Sequence, residues 1–203
     1  MTNWQQEYEN GSTPWDKGAP APALVDYLQE HGPLRGRVLV PGCGTGSDII
    51  PLAAAGADQV TGLDIAPLAV EAARKRLAAL PDAVVAVELA DLFTDCARPP
   101  LAGTFDAVWE HTCYCAIPPE RRPDYVRAMA SALKPGGLLL GVFYLNPWDP
   151  EEDQDQGPPF GCTEESLEAS FSPAFDLLES RRPARAYPGR EGREVVRLMR
   201  RRG

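Results

Sequence analysis

The chain has 203 residues, 44% hydrophobic and 24% charged, which suits one globular domain spanning residues 1–203 with a core of its own. A formal net charge of −9 argues against a nucleic-acid binder, whose domains usually carry a basic patch. No run approaches the roughly 20 apolar residues of a membrane helix, and the polar N-terminus shows no secretory signal, so a cytoplasmic protein with no membrane partner is expected.

Residues 1–18 set Trp4, Tyr8 and Trp15 among Asn10, Gly11, Ser12, Thr13 and Pro14. Three large rings in a polar, turn-rich leader build no core alone and must dock on the domain, as plain packing or as a lid over a ligand. Residues 21–31 read as an amphipathic helix closed by Gly32-Pro33. The stretch Arg37-Val38-Leu39-Val40-Pro41-Gly42-Cys43-Gly44-Thr45-Gly46 is an apolar strand running into a glycine turn, and 47–55 is predicted as the helix that follows. Glycines at alternate positions let the backbone bend tightly and approach a ligand with no Cβ in the way. Residues 59–63 form a second strand ending at Asp64. An acid about 20 residues beyond such glycines suits the two hydroxyls of a ribose.

Residues 67–80 predict a helix opened by Pro67 and stopped by Pro81. A third strand over 84–89 leads into Ala90-Asp91-Leu92-Phe93, and a fourth over 104–110 leads into His111. Cys113 and Cys115 then fall on one face of what reads as an extended segment. The five cysteines are odd in number and include no C-x-x-C pair, so neither a disulfide framework nor a metal site is expected. Pro118-Pro119 opens a helix running to about Leu133, ended by Lys134-Pro135-Gly136-Gly137. The apolar run 138–144 suits a strand buried on both faces, and the acidic, proline-rich stretch 146–160 reads as a solvated loop. Thr163 is placed to cap a last helix, with Glu164 and Glu165 in its first turn. Strands over 175–179 and 194–200 close the chain around a turn near Pro188-Gly189. The arginines from Arg190 to Arg202 alternate with Val195, Val196, Leu198 and Met199, as on the solvated side of an edge strand. This order predicts an α/β fold: a doubly wound, mostly parallel seven-stranded sheet with an antiparallel C-terminal strand pair.

Such sheets bind ligands beyond the carboxyl ends of their strands, where strand order reverses. Those ends carry Gly42, Gly44, Gly46, Asp64, Asp91 and Glu110-His111. Together they describe a nucleoside site. Asp64 takes the ribose, Asp91 accepts from an adenine amino group, and Leu92 and Phe93 pack the ring. A dinucleotide site spaces its glycines G-x-G-x-x-G, whereas here the third arrives one residue early.

That pattern, with the Lys134-Pro135-Gly136-Gly137 turn before an apolar strand, resembles the S-adenosylmethionine-dependent methyltransferases. Tyr8-Glu9-Asn10-Gly11-Ser12-Thr13-Pro14-Trp15-Asp16-Lys17-Gly18 is similar to the leader of the thiopurine methyltransferase superfamily, closest to its halide/thiol methyltransferase branch. Val40-Pro41-Gly42-Cys43-Gly44, Gly62-Leu63-Asp64-Ile65, and Cys115-Ala116-Ile117 followed by Arg122-Pro123 match the same branch. The likeness runs from about Trp4 to Tyr144.

The resemblance implies a Rossmann-like methyltransferase with S-adenosyl-L-methionine as cofactor and S-adenosyl-L-homocysteine as product. By it, Trp4 and Trp15 contact the cofactor from above, Tyr8 lies beside them at the substrate, and Ile65 joins the cofactor site. A sulfonium against aromatic faces gains roughly 0.5–2 kcal/mol per contact. The implied reaction is methyl transfer to a small soft nucleophile, a thiol, thiolate or halide, for which the protein supplies alignment and exclusion of water. A halide needs no base; a neutral thiol, with a pKa of about 8.5, must lose its proton. His111 is the candidate for that catalytic step, with hydrogen bonding to cofactor or backbone as the alternative role. The branch has a tyrosine at this position. Arg122 is a candidate to hold an anionic substrate or the cofactor carboxylate, or else forms a helix-surface ion pair. Tyr144 lines the substrate pocket or packs. Thiopurine- or metalloid-directed methylation and a non-catalytic S-adenosylmethionine sensor stay open as alternatives, and a monomer is the favoured state.

Overall fold

In the computed structural model, which describes residues 2–149 and 156–203, the chain forms a seven-stranded sheet. Its strands are β1 (Arg37–Pro41), β2 (Gln59–Asp64), β3 (Val85–Leu89), β4 (Phe105–His111), β5 (Leu133–Tyr144), β6 (Phe175–Arg181) and β7 (Glu194–Arg201), in the order β3-β2-β1-β4-β5-β7-β6. The first five run parallel, and β7 pairs antiparallel with both β5 and β6. The chain steps outward from β1 to β3 and then returns to lay β4 against β1, so the order reverses where Leu39 pairs with Val108.

Helices cover both faces because successive strand residues point to opposite sides. In β4, Val108 packs with Tyr125 and Met129 of α6 (Arg122–Ala132) and Phe171 of α7 (Glu164–Phe171). Its neighbour Trp109 packs on the other side with Leu24 of α2 (Pro22–His31), Ile49 of α3 (Ile49–Ala55) and Val70 of α4 (Pro67–Leu77). Each such fully buried side chain contributes roughly 1.5–3 kcal/mol of apolar transfer free energy. Thr163 and Ser166 form a reciprocal capping box at the start of α7. Among the described residues no helix is long and apolar enough to cross a membrane.

Several local expectations change. The leader contains a helix, α1 (Trp4–Glu9), capped by the Asn3 side chain and lying on α4, where Gln5 Oε1 accepts from Leu68 N at 3.0 Å. Polar composition hid it, since α1 buries none of its residues fully. The Lys134-Pro135-Gly136-Gly137 turn is a bulge inside β5: Leu133 still pairs with Phe105, and pairing resumes at Leu138 with Ala107. Strand β7 is internal, because β6 folds outside it; Arg197 is buried, donating to Glu168 Oε2 at 3.4 Å and to the Glu164 carbonyl at 3.0 Å. Cys113 and Cys115 lie in a turn and a 3₁₀ segment (Tyr114–Ala116), not on an extended one. Residues 150–155 of the acidic loop lie outside the described residues.

Candidate active site

Beyond Pro41 the backbone bends back through Gly42 and Gly44, both at positive φ (+57° and +55°), where a side chain is strained. Close approach adds a second constraint. A Cβ on Gly42 would lie 2.9 Å from Cys113 Sγ, and one on Gly44 would lie 3.2 Å from the Tyr8 hydroxyl. The third glycine, also at positive φ (+81°), faces α4 and not the cavity, since a Cβ on Gly46 would meet Leu77 Cδ1 at 3.1 Å. Asp64 braces the turn, its Oδ2 accepting from Gly44 N and its Oδ1 from Ala66 N, both at 2.9 Å. Burial pushes the Asp64 carboxyl above its usual range, with the backbone bonds opposing that rise.

Over the turn opens a cavity of about 860 Å³. Trp4, Tyr8 and Trp15 roof it, with Trp15 edge-on to Trp4 at 5.3 Å and to Tyr8 at 5.9 Å between ring centroids. Asp16 anchors the leader by accepting from Thr45 Oγ1 at 2.6 Å. One wall is made by Asp64, Ile65, Asp91, Leu92 and Phe93, where Asp91 caps the one-turn helix α5 (Leu92–Asp95) by accepting from Phe93 N at 2.9 Å. The opposite wall includes Thr112, Cys113, Cys115, Tyr144 and Arg190. Thr112 holds φ +65°, rare for a non-glycine residue, at the bend where β4 leaves the sheet. The glycine cradle, a carboxylate at the end of β2 and a one-sided aromatic roof fit a nucleoside carrying a cationic sulfur.

Three expected residues stand apart from this cavity. Gly46 packs on α4, as described. Arg122 is buried at the start of α6, donating to the Gly161 and Phe160 carbonyls at 2.9 and 2.8 Å with its guanidinium 4.6 Å from the Tyr114 ring. Neither an acceptor contact nor a surface ion pair results. The arginine one position earlier reaches the cavity instead, and Arg121 lies 4.1 Å from the Phe93 centroid while its Nε donates to Asp124. His111 is the third: it points away from the cavity walls, with Nδ1 3.0 Å from Asp48 Oδ2 and its ring near Trp109 and Tyr187.

Asp48 and Glu110 organise the region from behind. Asp48 accepts from Trp109 Nε1 at 2.8 Å and from Ala21 N at 2.7 Å as well as engaging His111. Holding these partners, it ends the glycine turn, so α3 begins at Ile49 and not at Ser47. Glu110 is 1% exposed and accepts from Cys113 N, Tyr114 N and the Tyr125 hydroxyl, fixing the bend that walls the cavity. Adjacent position was the available signal for Arg121, and direct succession to the glycine turn was the signal for Asp48. For Arg190 the signal was the Pro188-Gly189 turn, which lifts it out of the β7 alternation.

Among the described residues the wall opposite Asp64 is poor in groups that take a proton near neutrality. Burial pushes Tyr8 and Cys115 each to about 12 and raises Tyr144 and Cys113 as well. Among the described residues the lining carboxylates are Asp64 and Asp91 at the strand ends and Glu7 on α1.

Comparison with known proteins gives one family. The family model described as thiopurine S-methyltransferase (TPMT) matches residues 1–200. A probable thiol methyltransferase 2 of Arabidopsis thaliana is 38% identical over 171 residues, 84% of this chain and 71% of that protein. Thiocyanate methyltransferase 1 of Brassica oleracea is 32% identical over 194 residues, 95% of this chain and 82% of that protein. Among solved structures, a 1,6-didemethyltoxoflavin-N1-methyltransferase of Burkholderia thailandensis with bound S-adenosylhomocysteine superposes with a TM-score of 0.74 at 20% identity, covering 99% of this chain and 86% of that one.

Proposed function

The chain belongs to the thiopurine S-methyltransferase family, and from that membership we propose that its cavity methylates a small soft nucleophile that arrives as an anion, such as a thiolate, a halide or thiocyanate. It is an S-adenosylmethionine-dependent enzyme. The observation that carries the acceptor class is that, among the described residues, the wall opposite Asp64 offers no titrating base: burial holds the phenol of Tyr144 and the thiols of Cys113 and Cys115 protonated. An acceptor that is already an anion needs no such base.

Asp64 would hold the ribose, Asp91, Leu92 and Phe93 the adenine, and the Gly42–Gly44 backbone the adjoining chain. Trp4, Trp15 and Tyr8 would close over the sulfonium and exclude water. With that donor bound, the acceptor's lone pair forms a bond to the methyl carbon, the carbon–sulfur bond breaks onto sulfur, and an anion and a cation become two neutral molecules with no proton moved. The chain's own part is alignment and a dry cavity, which can supply most of what such a displacement requires. His111 stands outside this scheme as a structural partner of Asp48.

Purified protein with labelled S-adenosylmethionine tests the reading against iodide, bromide, thiocyanate, hydrogen sulfide, small thiols and thiopurines, with volatile and soluble products both counted. Transfer to the anionic acceptors is expected. Tight S-adenosylhomocysteine binding with no transfer to any of them would instead indicate a sensor.

A further inference from the structure

We infer that Arg190 is the residue that binds the acceptor anion, with the Tyr144 ring as the face on which its guanidinium is held; this rests on the proposed function. Arg190 lies in the turn before β7 and borders the cavity together with Tyr144, Pro188 and Gly189. Its guanidinium carbon sits 4.8 Å from the Tyr144 ring centroid and 5.6 Å from that of Tyr187. Contacts to ring faces leave the in-plane N–H fork free for an acceptor. Among the described residues one side-chain hydrogen bond occupies that fork, from Nη1 to Glu194 Oε1 at 3.4 Å. Arg122 and Arg197 each keep a buried Nε with no partner, whereas no nitrogen of Arg190 is both buried and unpartnered. Its unpaired donors therefore reach open space, and the open space it borders is the cavity.

The other cations of the wall are differently engaged. Arg121 covers Phe93 at the adenine side and donates to Asp124, and Lys17 is exposed on the leader. Among the described residues the strand-end charges of the cavity are thus divided, with Asp64 and Asp91 at the nucleoside end and Arg190 on the wall opposite, while Glu7 belongs to the leader helix α1. A donor that carries positive charge and an acceptor that carries negative charge are sorted by this division before they meet. The long bond to Glu194 leaves Arg190 partly compensated, so it attracts an anion without holding it as a rigid pair. Methylation removes the acceptor's charge, and with it the attraction, which favours release of a neutral product.

Because the contact exists before the reaction and weakens during it, its loss shows mainly in KM. In Arg190→Gln, KM for iodide and for thiocyanate is expected to rise at least about tenfold, the scale of one charge-assisted hydrogen bond. S-adenosylhomocysteine affinity should stay within about twofold, and Arg190→Lys, which keeps the charge without the planar fork, should recover part of the loss. Unchanged KM in Arg190→Gln overturns the inference, and so does a loss of S-adenosylhomocysteine affinity that matches the rise in KM. If the Gln variant fails to fold, Arg190→Lys is read alone, and wild-type KM there overturns it. Calorimetry of thiocyanate binding to the S-adenosylhomocysteine complex separates this inference from the reading beneath it. A wild type that binds thiocyanate through Arg190 but transfers methyl to none of the thiol, halide or thiocyanate acceptors supports the binding role and overturns the proposed function.

Discussion

His111 Nδ1 lies 3.0 Å from Asp48 Oδ2, and the pair ties the end of β4 to the start of α2, because Asp48 also accepts from Ala21 N. Burial pushes the Asp48 carboxyl up, but the bonds and charge from His111, with those from Ala21 and Trp109, outweigh it and hold the group below its ordinary range. Removing the histidine therefore loosens the scaffold. In His111→Phe, methylation of a thiol and of iodide should fall by the same factor at every pH, since both acceptors need the same aligned cavity. Steady-state rates over a pH series decide it. A thiol-selective loss of about 10²–10⁴-fold that shrinks at high pH would restore the base role.

Asp64→Asn should weaken S-adenosylhomocysteine binding at least about tenfold, because a charged acceptor for two hydroxyls is worth roughly 1.5–3 kcal/mol. The wild type should show the same loss on acidification. Since burial raises the Asp64 pKa, the carboxylate is protonated at a higher pH than an ordinary aspartate, and affinity should decline from that higher pH downward. Calorimetry on the folded variant checks both statements; equal affinity for wild type and variant removes Asp64 from the ribose.

The strands and the glycine cradle are legible in the sequence because each rests on local chemistry: apolar runs for strands buried on both faces, alternate glycines for the bend, an acid at the next strand end. Three features depend on tertiary placement and are not. Helix α1 has no apolar stripe, since it buries none of its residues fully and takes its support from α4. Arg121 and Arg122 differ by one position, and only the 3₁₀ turn (Pro119–Arg121) ahead of α6 determines which reaches the cavity. His111 does sit at a strand end, yet side-chain alternation along β4 turns it to the face of Trp109 and Asp48.

The leader should be protected by ligand. Helix α1 has no fully buried residue, and its hold on the domain includes two polar contacts, Gln5 to Leu68 and Asp16 to Thr45. A ligand that fills the cavity adds contacts to Trp4, Tyr8 and Trp15 at once, so opening must then break them as well. Tryptic cleavage at Lys17 should slow at least about tenfold with saturating S-adenosylhomocysteine. Equal cleavage with and without ligand would count against a closing roof.

Glu110 gives a stability test with an unusual sign. Burial raises its pKa from 4.5 to about 7, against the opposing bonds from Tyr114, Tyr125 and Cys113 and the charge of His111. Between these two values the folded state binds more protons than the unfolded chain, so this group's contribution to stability falls as pH rises, by up to about 1.4 kcal/mol per unit. The paired carboxylates Asp48 and Asp106 act in the other direction, because theirs are lowered in the fold. Comparing wild type with Glu110→Gln cancels them. The amide oxygen can still accept from Cys113 N and Tyr114 N, and the amide nitrogen can donate to the Tyr125 hydroxyl, so the variant keeps the bend without the charge. Relative to that variant, the wild type should lose stability steadily from about pH 5 to about pH 8 in denaturant unfolding. A difference that stays flat with pH would mean that Glu110 titrates in the fold as it does in the unfolded chain, and that its burial costs the protein nothing in charge.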